Sequence, residues 1–191
     1  MKFFNLLESM NGSLVVVDVQ PSYKKYIHFN IFNFVQFMSK YSRILVLFNG
    51  PELGMENQEE ILWFYLENGF PEEEVHKLTF FEKGYAFFRD LIDACWARED
   101  ILKIIKFMIK KNYYDIRQLT ENDIKALKIS ELTMDVLENH GFYIPELRKI
   151  LPTWNKSDIC GGGFQECLNE VILLSEALNL KMNLIKEFVY G

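Results

Sequence analysis

Apolar residues run without alternation at two places, SLVVVDVQ over residues 13–20 and ILVLF over residues 44–48. Runs of this kind belong to strands buried on both faces, as in a parallel sheet. Asn11-Gly12 precedes the first as a turn, and Asn49-Gly50-Pro51 stops the second. HKLTFFE, residues 76–82, predicts a third strand closed by Lys83-Gly84. Residues 157–160 predict a fourth, running into Gly161-Gly162-Gly163, and residues 182–190 a last.

Between the strands the spacing turns helical. Residues 22–41 carry Phe, Tyr and Ile at helical intervals. Over 56–67, Ile61, Leu62, Phe64 and Tyr65 share a broad face, and Asn68-Gly69 with Pro71 beyond is a stop signal. Over 98–111, Ile101, Leu102, Ile105, Met108 and Ile109 form a stripe with Lys103, Lys106 and Lys110 largely off it. Residues 167–180 predict another apolar-faced helix. Short helical patterns recur around 121–128, 130–139 and 145–151, and residues 112–143 read as a helical elaboration on the main fold. Strands alternating with helices predict a single α/β domain over 1–191, a three-layer, Rossmann-like sandwich around a mostly parallel sheet.

Composition narrows the class. At 191 residues the chain suits one domain, and 49% hydrophobic with 25% charged residues excludes disorder and collagen-like structure. Lys plus Arg number 21 against 27 Asp plus Glu, so the net charge of -6 lacks the footprint of a nucleic-acid binder. Three cysteines, at 95, 160 and 167, are too few and too awkwardly spaced for a disulfide framework, and no C-x-x-C pair suggests zinc. No apolar run reaches the roughly 18 residues of a membrane span. Glu8 interrupts the apolar start MKFFNLLESMNG, and no cleavage-like motif follows, so a cytoplasmic location is expected.

In an open parallel sheet, ligands bind beyond the carboxyl ends of the strands. Asp18 lies at the late end of the first strand, Lys83 closes the third, and Cys167 follows the glycine turn near a helix start. An acid, an amine and a thiol therefore converge on one sheet edge. Each has a plainer reading alone: a loop cap, a surface lysine, a buried cysteine. Together they fit nucleophilic catalysis. A helix N-terminus and a nearby ammonium both favour a thiolate, so Cys167 is expected to ionise below the ordinary thiol range. Asp18 can take the thiol proton and return it to a leaving amine. Glycines 161–163 bring backbone N–H groups close to a substrate and supply an oxyanion hole, assigned to Gly163 and Cys167. The bland alternative for the three glycines is a tight strand-to-helix turn.

These segments, LVVVDVQ with Asp18, FFEKGYAFF (80–88) with Lys83, and ICGGGFQECLNE (159–170) with Cys167, resemble the isochorismatase-like cysteine hydrolases. That superfamily includes nicotinamidases and N-carbamoyl amidases. The last segment resembles its G-V-A-T-D-x-C-V turn, with Gly161 as the leading glycine and Cys167 as the nucleophile. The resemblance implies a cis peptide joining Gly162 to Gly163. Two departures stand out: Phe164-Gln165 replaces the usual Thr-Asp, and FNGPELGMENQ lacks the nicotinamidase metal motif. His28, His76 and His140 lie in other contexts, and neither metal nor cofactor is expected. With the cysteine present, the resemblance implies amide-type C–N hydrolysis of a small molecule. By position, Asn49, Glu52, Tyr85, Phe88 and Phe164 are candidates to line its pocket. It also implies a homo-oligomer.

Two other readings remain at this stage. The chain is a catalytically idle, oligomeric binding or scaffold protein, or Cys167 is a redox sensor with Cys160 as its resolving thiol.

Overall fold

The computed structural model describes residues 10–84, 88–94, 96–139 and 145–191, with no side-chain description at 10, 11, 88, 90, 138 and 139. Five strands form one sheet: β1 (Met10–Val17), β2 (Tyr41–Phe48), β3 (Leu78–Glu82), β4 (Ser157–Gly162) and β5 (Met182–Tyr190). Their order is β3-β2-β1-β4-β5, and every pairing is parallel. The expected "mostly parallel" sheet is thus wholly parallel.

Side-chain alternation along β1 and β2 creates two cores. Val15, Val17, Leu45 and Leu47 face one side, and Leu14, Val16, Ile44 and Val46 the other. The first side is covered by α4 (Arg98–Lys111), through Ile101, Ile105 and Met108, and by α8 (Cys167–Ala177), through Leu168, Val171 and Leu174. The second is covered by α1 (Ile31–Met38) and α2 (Gln58–Glu67), through Phe34, Val35, Ile61 and Tyr65. Helices on both faces of a parallel sheet make the α/β/α sandwich.

The described part of the elaboration, 112–139, packs onto the α4–α8 side. Within it lies α5 (Glu121–Leu127), started by a capping box between Thr120 and Asp123, and α6 (Met134–Asn139). Ile116, Leu119, Leu127, Ile129, Leu132 and Leu137 join the same core as α4 and α8. α7 (Leu147–Ile150) leads into β4.

The structure divides the helix read over 22–41. A 3₁₀ segment spans Pro21–Tyr26, and α1 starts only at Ile31, where the Asn30 side chain accepts from Asn33 N–H at 3.0 Å. Asn30 acts as an N-cap and so marks a new start, not a continuation. α3 (Phe88–Asp93) was not foreseen, and α8 ends at Ala177, short of residue 180. Among the described residues, no helix is long and apolar enough to cross a membrane.

Candidate active site

The chain winds outward from β1 through β2 to β3, then returns to place β4 on the other side of β1. The crevice beyond the C-termini of β1 and β4 is a topological switch point, where open α/β sheets bind ligands. Asp18 leaves β1 there with φ 53°, a left-handed conformation that aspartate tolerates better than most residues. Its backbone is held on both sides: its N–H donates to Leu47 O at 2.8 Å, and Tyr190 O–H donates to its carbonyl at 2.5 Å.

Lys83 arrives from two strands away, about 10 Å at the usual strand spacing. Its backbone N–H donates to Phe48 O at 3.0 Å, and its side chain reaches across the end of β2. There Nζ donates to Asn49 Oδ1 at 3.0 Å and lies 3.2 Å from Asp18 Oδ2. Asn49 is itself fixed, by Gln20 Oε1 accepting from its backbone N–H at 3.0 Å and by Nδ2 donating to Tyr23 O–H at 3.0 Å. Asn49 therefore positions the lysine and does not line the cavity, a correction to its expected role in contacting substrate.

Cys167 is the first residue of α8 and lines a cavity of about 430 Å³ with Asp18, Tyr23, Tyr26, Arg89 and Tyr190. Gly163 and Phe164 belong to the same wall. Each glycine of the turn has a steric reason. At Gly161 (φ 112°) a Cβ would lie 2.0 Å from Val17 O, and at Gly162 it would lie 1.7 Å from the Tyr190 ring. At Gly163 (φ 63°) a Cβ would lie 3.0 Å from Cys167 N, so the turn passes close to the start of α8. The described residues contain no cis peptide, so the expected cis bond between Gly162 and Gly163 is not present.

No protein family, curated protein or solved structure matches the chain.

Electrostatics reverse one expectation. Burial pushes the Cys167 thiol up to about 12, reinforced by the Asp18 carboxylate and only partly opposed by Lys83. Dehydration of the charged form outweighs the nearby ammonium. Burial also raises the Asp18 carboxyl, although the Lys83 charge and the adjacent thiol pull it back. Burial acts to lower Lys83, yet the charges of Asp18, Cys167 and Glu170 outweigh it and hold the ammonium above its ordinary value. At rest the site holds a neutral thiol beside a buried ion pair. Neither Asp18 oxygen has a well-aligned hydrogen bond, which leaves the carboxylate open to a proton from its neighbour.

Other candidates fall elsewhere. Glu52 is exposed and lines a surface groove with Glu82, Gly84 and Tyr114, not the Cys167 cavity. Position does not predict where a short turn aims its side chain, and Pro51–Leu53 forms a 3₁₀ turn pointing away. Phe164 stands at the cavity rim, 46% exposed. Tyr85, Cys95 and His140 lie outside the described residues, as does the Phe88 side chain. Among the described residues, no group of three His, Cys, Asp or Glu is arranged to hold a metal. Cys160 belongs to the core on the α1–α2 side and Cys167 to the opposite core, so the sheet separates the suggested redox pair.

Two groups escaped the sequence reading. Arg89, on α3, brings Nη1 and Nη2 each to 3.8 Å from Cys167 Sγ. Glu170, one helical turn after Cys167, is 4% exposed and has one carboxylate oxygen buried without a hydrogen bond. The i, i+3 rule on a helix starting at Cys167 would have found Glu170. Arg89 had no such signal, because α3 had none.

Proposed function

We propose that the protein is a metal-independent cysteine hydrolase that cleaves an amide-type C–N bond of a small molecule, a relative of the isochorismatase-like cysteine hydrolases. The observation that carries this reading is that Asp18 and Cys167 line one cavity, with Lys83 buried behind it 3.2 Å from the Asp18 carboxylate. A buried acid, amine and thiol of this kind is costly to assemble without a use for it.

In this mechanism Asp18 takes the Cys167 proton as sulfur attacks the substrate carbonyl. Ionising a thiol near 12 at neutral pH unaided costs roughly 7 kcal/mol, so transfer coupled to attack is the accessible route. The carbonyl oxygen gains the electron pair and is met by the amides of Gly163 and Cys167, each such donor contributing about 3 to 4 kcal/mol to the transition state. The tetrahedral species collapses, the C–N bond breaks, and Asp18 returns its proton to the departing amine. Asp18 then deprotonates a water, which attacks the thioester and releases the acid and the thiol. Throughout, Lys83 holds the Asp18 side chain in place, and Asn49 holds Lys83.

A screen of small amides, carbamoyl compounds and esters tests the reading. Turnover by the parent, its loss in Cys167→Ala, and a mass increase on Cys167 equal to the substrate's acyl group less one hydrogen are expected. Equal, background-level turnover in parent and Cys167→Ala would overturn it in favour of an idle binding protein.

A further inference from the structure

Glu170 is a buried acid that the mechanism leaves unused. It follows Cys167 by one turn on the same face of α8, is 4% exposed, and keeps Oε1 buried without a hydrogen bond. Glu170 and Lys83 together line a second, smaller cavity of about 10 Å³, walled by Pro145, Leu147, Val171 and Leu174. That space takes no more than one water, so a charge on Glu170 is left almost unhydrated. The groups facing Glu170 are Lys83 from the end of β3, Asp18 from the end of β1, Arg89 and Asp93 from α3, and Cys167 from its own helix. Asp93 also approaches Arg89 Nε at 3.6 Å, and Glu166 approaches Nη2 at 3.2 Å. Both of those side chains are 62% exposed, and solvent screens them.

From this cluster we propose that Glu170 governs the nucleophile through its own protonation: neutral, it leaves a positive charge of Lys83 and Arg89 to Cys167; ionised, it takes that charge away. The inference rests on the cysteine hydrolase reading and adds the control of its nucleophile. A count of the dehydrated charges gives the direction. Lys83 stands 3.2 Å from Asp18 Oδ2, and Arg89 brings both terminal nitrogens to 3.8 Å from Cys167 Sγ. With Asp18 ionised and Glu170 neutral, one positive charge is in excess, and it meets the charge that develops on sulfur and on the substrate oxygen. Once Glu170 ionises, that excess is gone and a negative charge sits one turn from sulfur. The ionised acid accordingly pushes the thiol up. The change falls near neutrality, because burial lifts the Glu170 carboxyl to about 7. The protonated acid is the working form.

Alkylation of Cys167 by iodoacetamide, a neutral reagent, tests this without a known substrate. Sulfur bonds to the CH₂ carbon, iodide departs with the C–I electron pair, and the thiol proton passes to Asp18 or solvent. The intact folded chain is labelled between pH 5.5 and pH 9, and the rate at Cys167 is read by peptide mass spectrometry. An undisturbed thiol below its pKa gains tenfold in rate per pH unit. The parent is expected to follow that slope below pH 6, to rise less steeply across pH 7, and to resume the slope above pH 8. Its upper limb is then displaced downward by about threefold to tenfold. Glu170→Gln, neutral throughout, is expected to match the parent below pH 6, to run straight, and to react about threefold to tenfold faster at pH 8.5. Glu170→Asp, which keeps an ionisable group, is expected to keep the break.

A straight profile in the parent would overturn the proposal, whether or not the variants fold. A break that survives in Glu170→Gln would also overturn it, since that break belongs to Asp18. So would a ratio of variant to parent that is the same at pH 6 and pH 8.5, the pattern of a residue that only packs. Each of these results leaves the hydrolase reading intact, because that reading fails separately, on turnover no higher in the parent than in Cys167→Ala.

Discussion

Lys83 Nζ lies 3.2 Å from Asp18 Oδ2, with 3% and 2% of the two side chains exposed. This contact ties the end of β3 to the end of β1 over the intervening β2. It also makes each charge depend on the other.

Removing one partner strands the survivor in a dry interior. Lys83→Met and Asp18→Asn are each expected to destabilise the chain by about 3 to 5 kcal/mol, with Asp18→Asn the milder because Asn49 still accepts from Lys83. The double variant should cost clearly less than the sum. Urea denaturation of the four proteins gives the coupling, and strict additivity would mean that the pair does not interact.

Cys167 should resist alkylation at neutral pH more than an exposed thiol does. With its thiol pushed up to about 12, the iodoacetamide rate is expected to keep climbing through pH 9 with no plateau. A plateau near pH 7 in the free protein would show that the cation and helix start dominate after all.

Glu170 predicts a pH-dependent stability. Burial lifts its carboxyl to about 7, with Asp18 and Asp93 adding to the rise and Lys83 and Arg89 opposing it. The native state thus holds a proton that the unfolded chain releases near pH 4.5. Below that pH the group contributes no penalty. The penalty grows from there to pH 7 and is complete above it, reaching roughly 3 kcal/mol. Glu170→Gln, which mimics the protonated acid, should match the parent near pH 4 and exceed its stability at pH 8.5. Unfolding curves at the two pH values check the sign.

The glycine turn offers a contrast between two neighbours. Gly162→Ala meets the Tyr190 ring, a side chain that can be trimmed, so Tyr190→Ala should recover part of the lost stability. Gly161→Ala meets the Val17 backbone at a φ of 112° and should have no such rescue. Thermal melts of both single variants and of each with Tyr190→Ala distinguish the cases.

The strands were legible because burial on both faces writes itself as unbroken apolar runs, as in Val15–Val17 and Ile44–Leu47. The strand ends then pointed to Asp18 and Lys83, and the glycine turn to Cys167. What sequence could not supply was dehydration. The thiol's ionisation turns on how deeply α8 seats Cys167 beside Leu168 and Val171, a tertiary fact that no local pattern writes. Arg89 was hidden for a related reason: the six residues of α3 are too short to show a periodic face. Glu52 was misplaced because nearness along the chain to a strand end says little about direction once a 3₁₀ turn intervenes.

The long crossover between β3 and β4 makes the molecule divisible. Severed there, one fragment would carry the carboxylate and the amine, and the other the sulfur with its glycine turn. Neither fragment alone would hold a complete set of reacting groups, and β4, paired with β5 on its own piece, would lack its other neighbour, β1. Co-expressed halves would reunite along a single strand–strand seam, and the chemistry at Cys167 would report that they had done so.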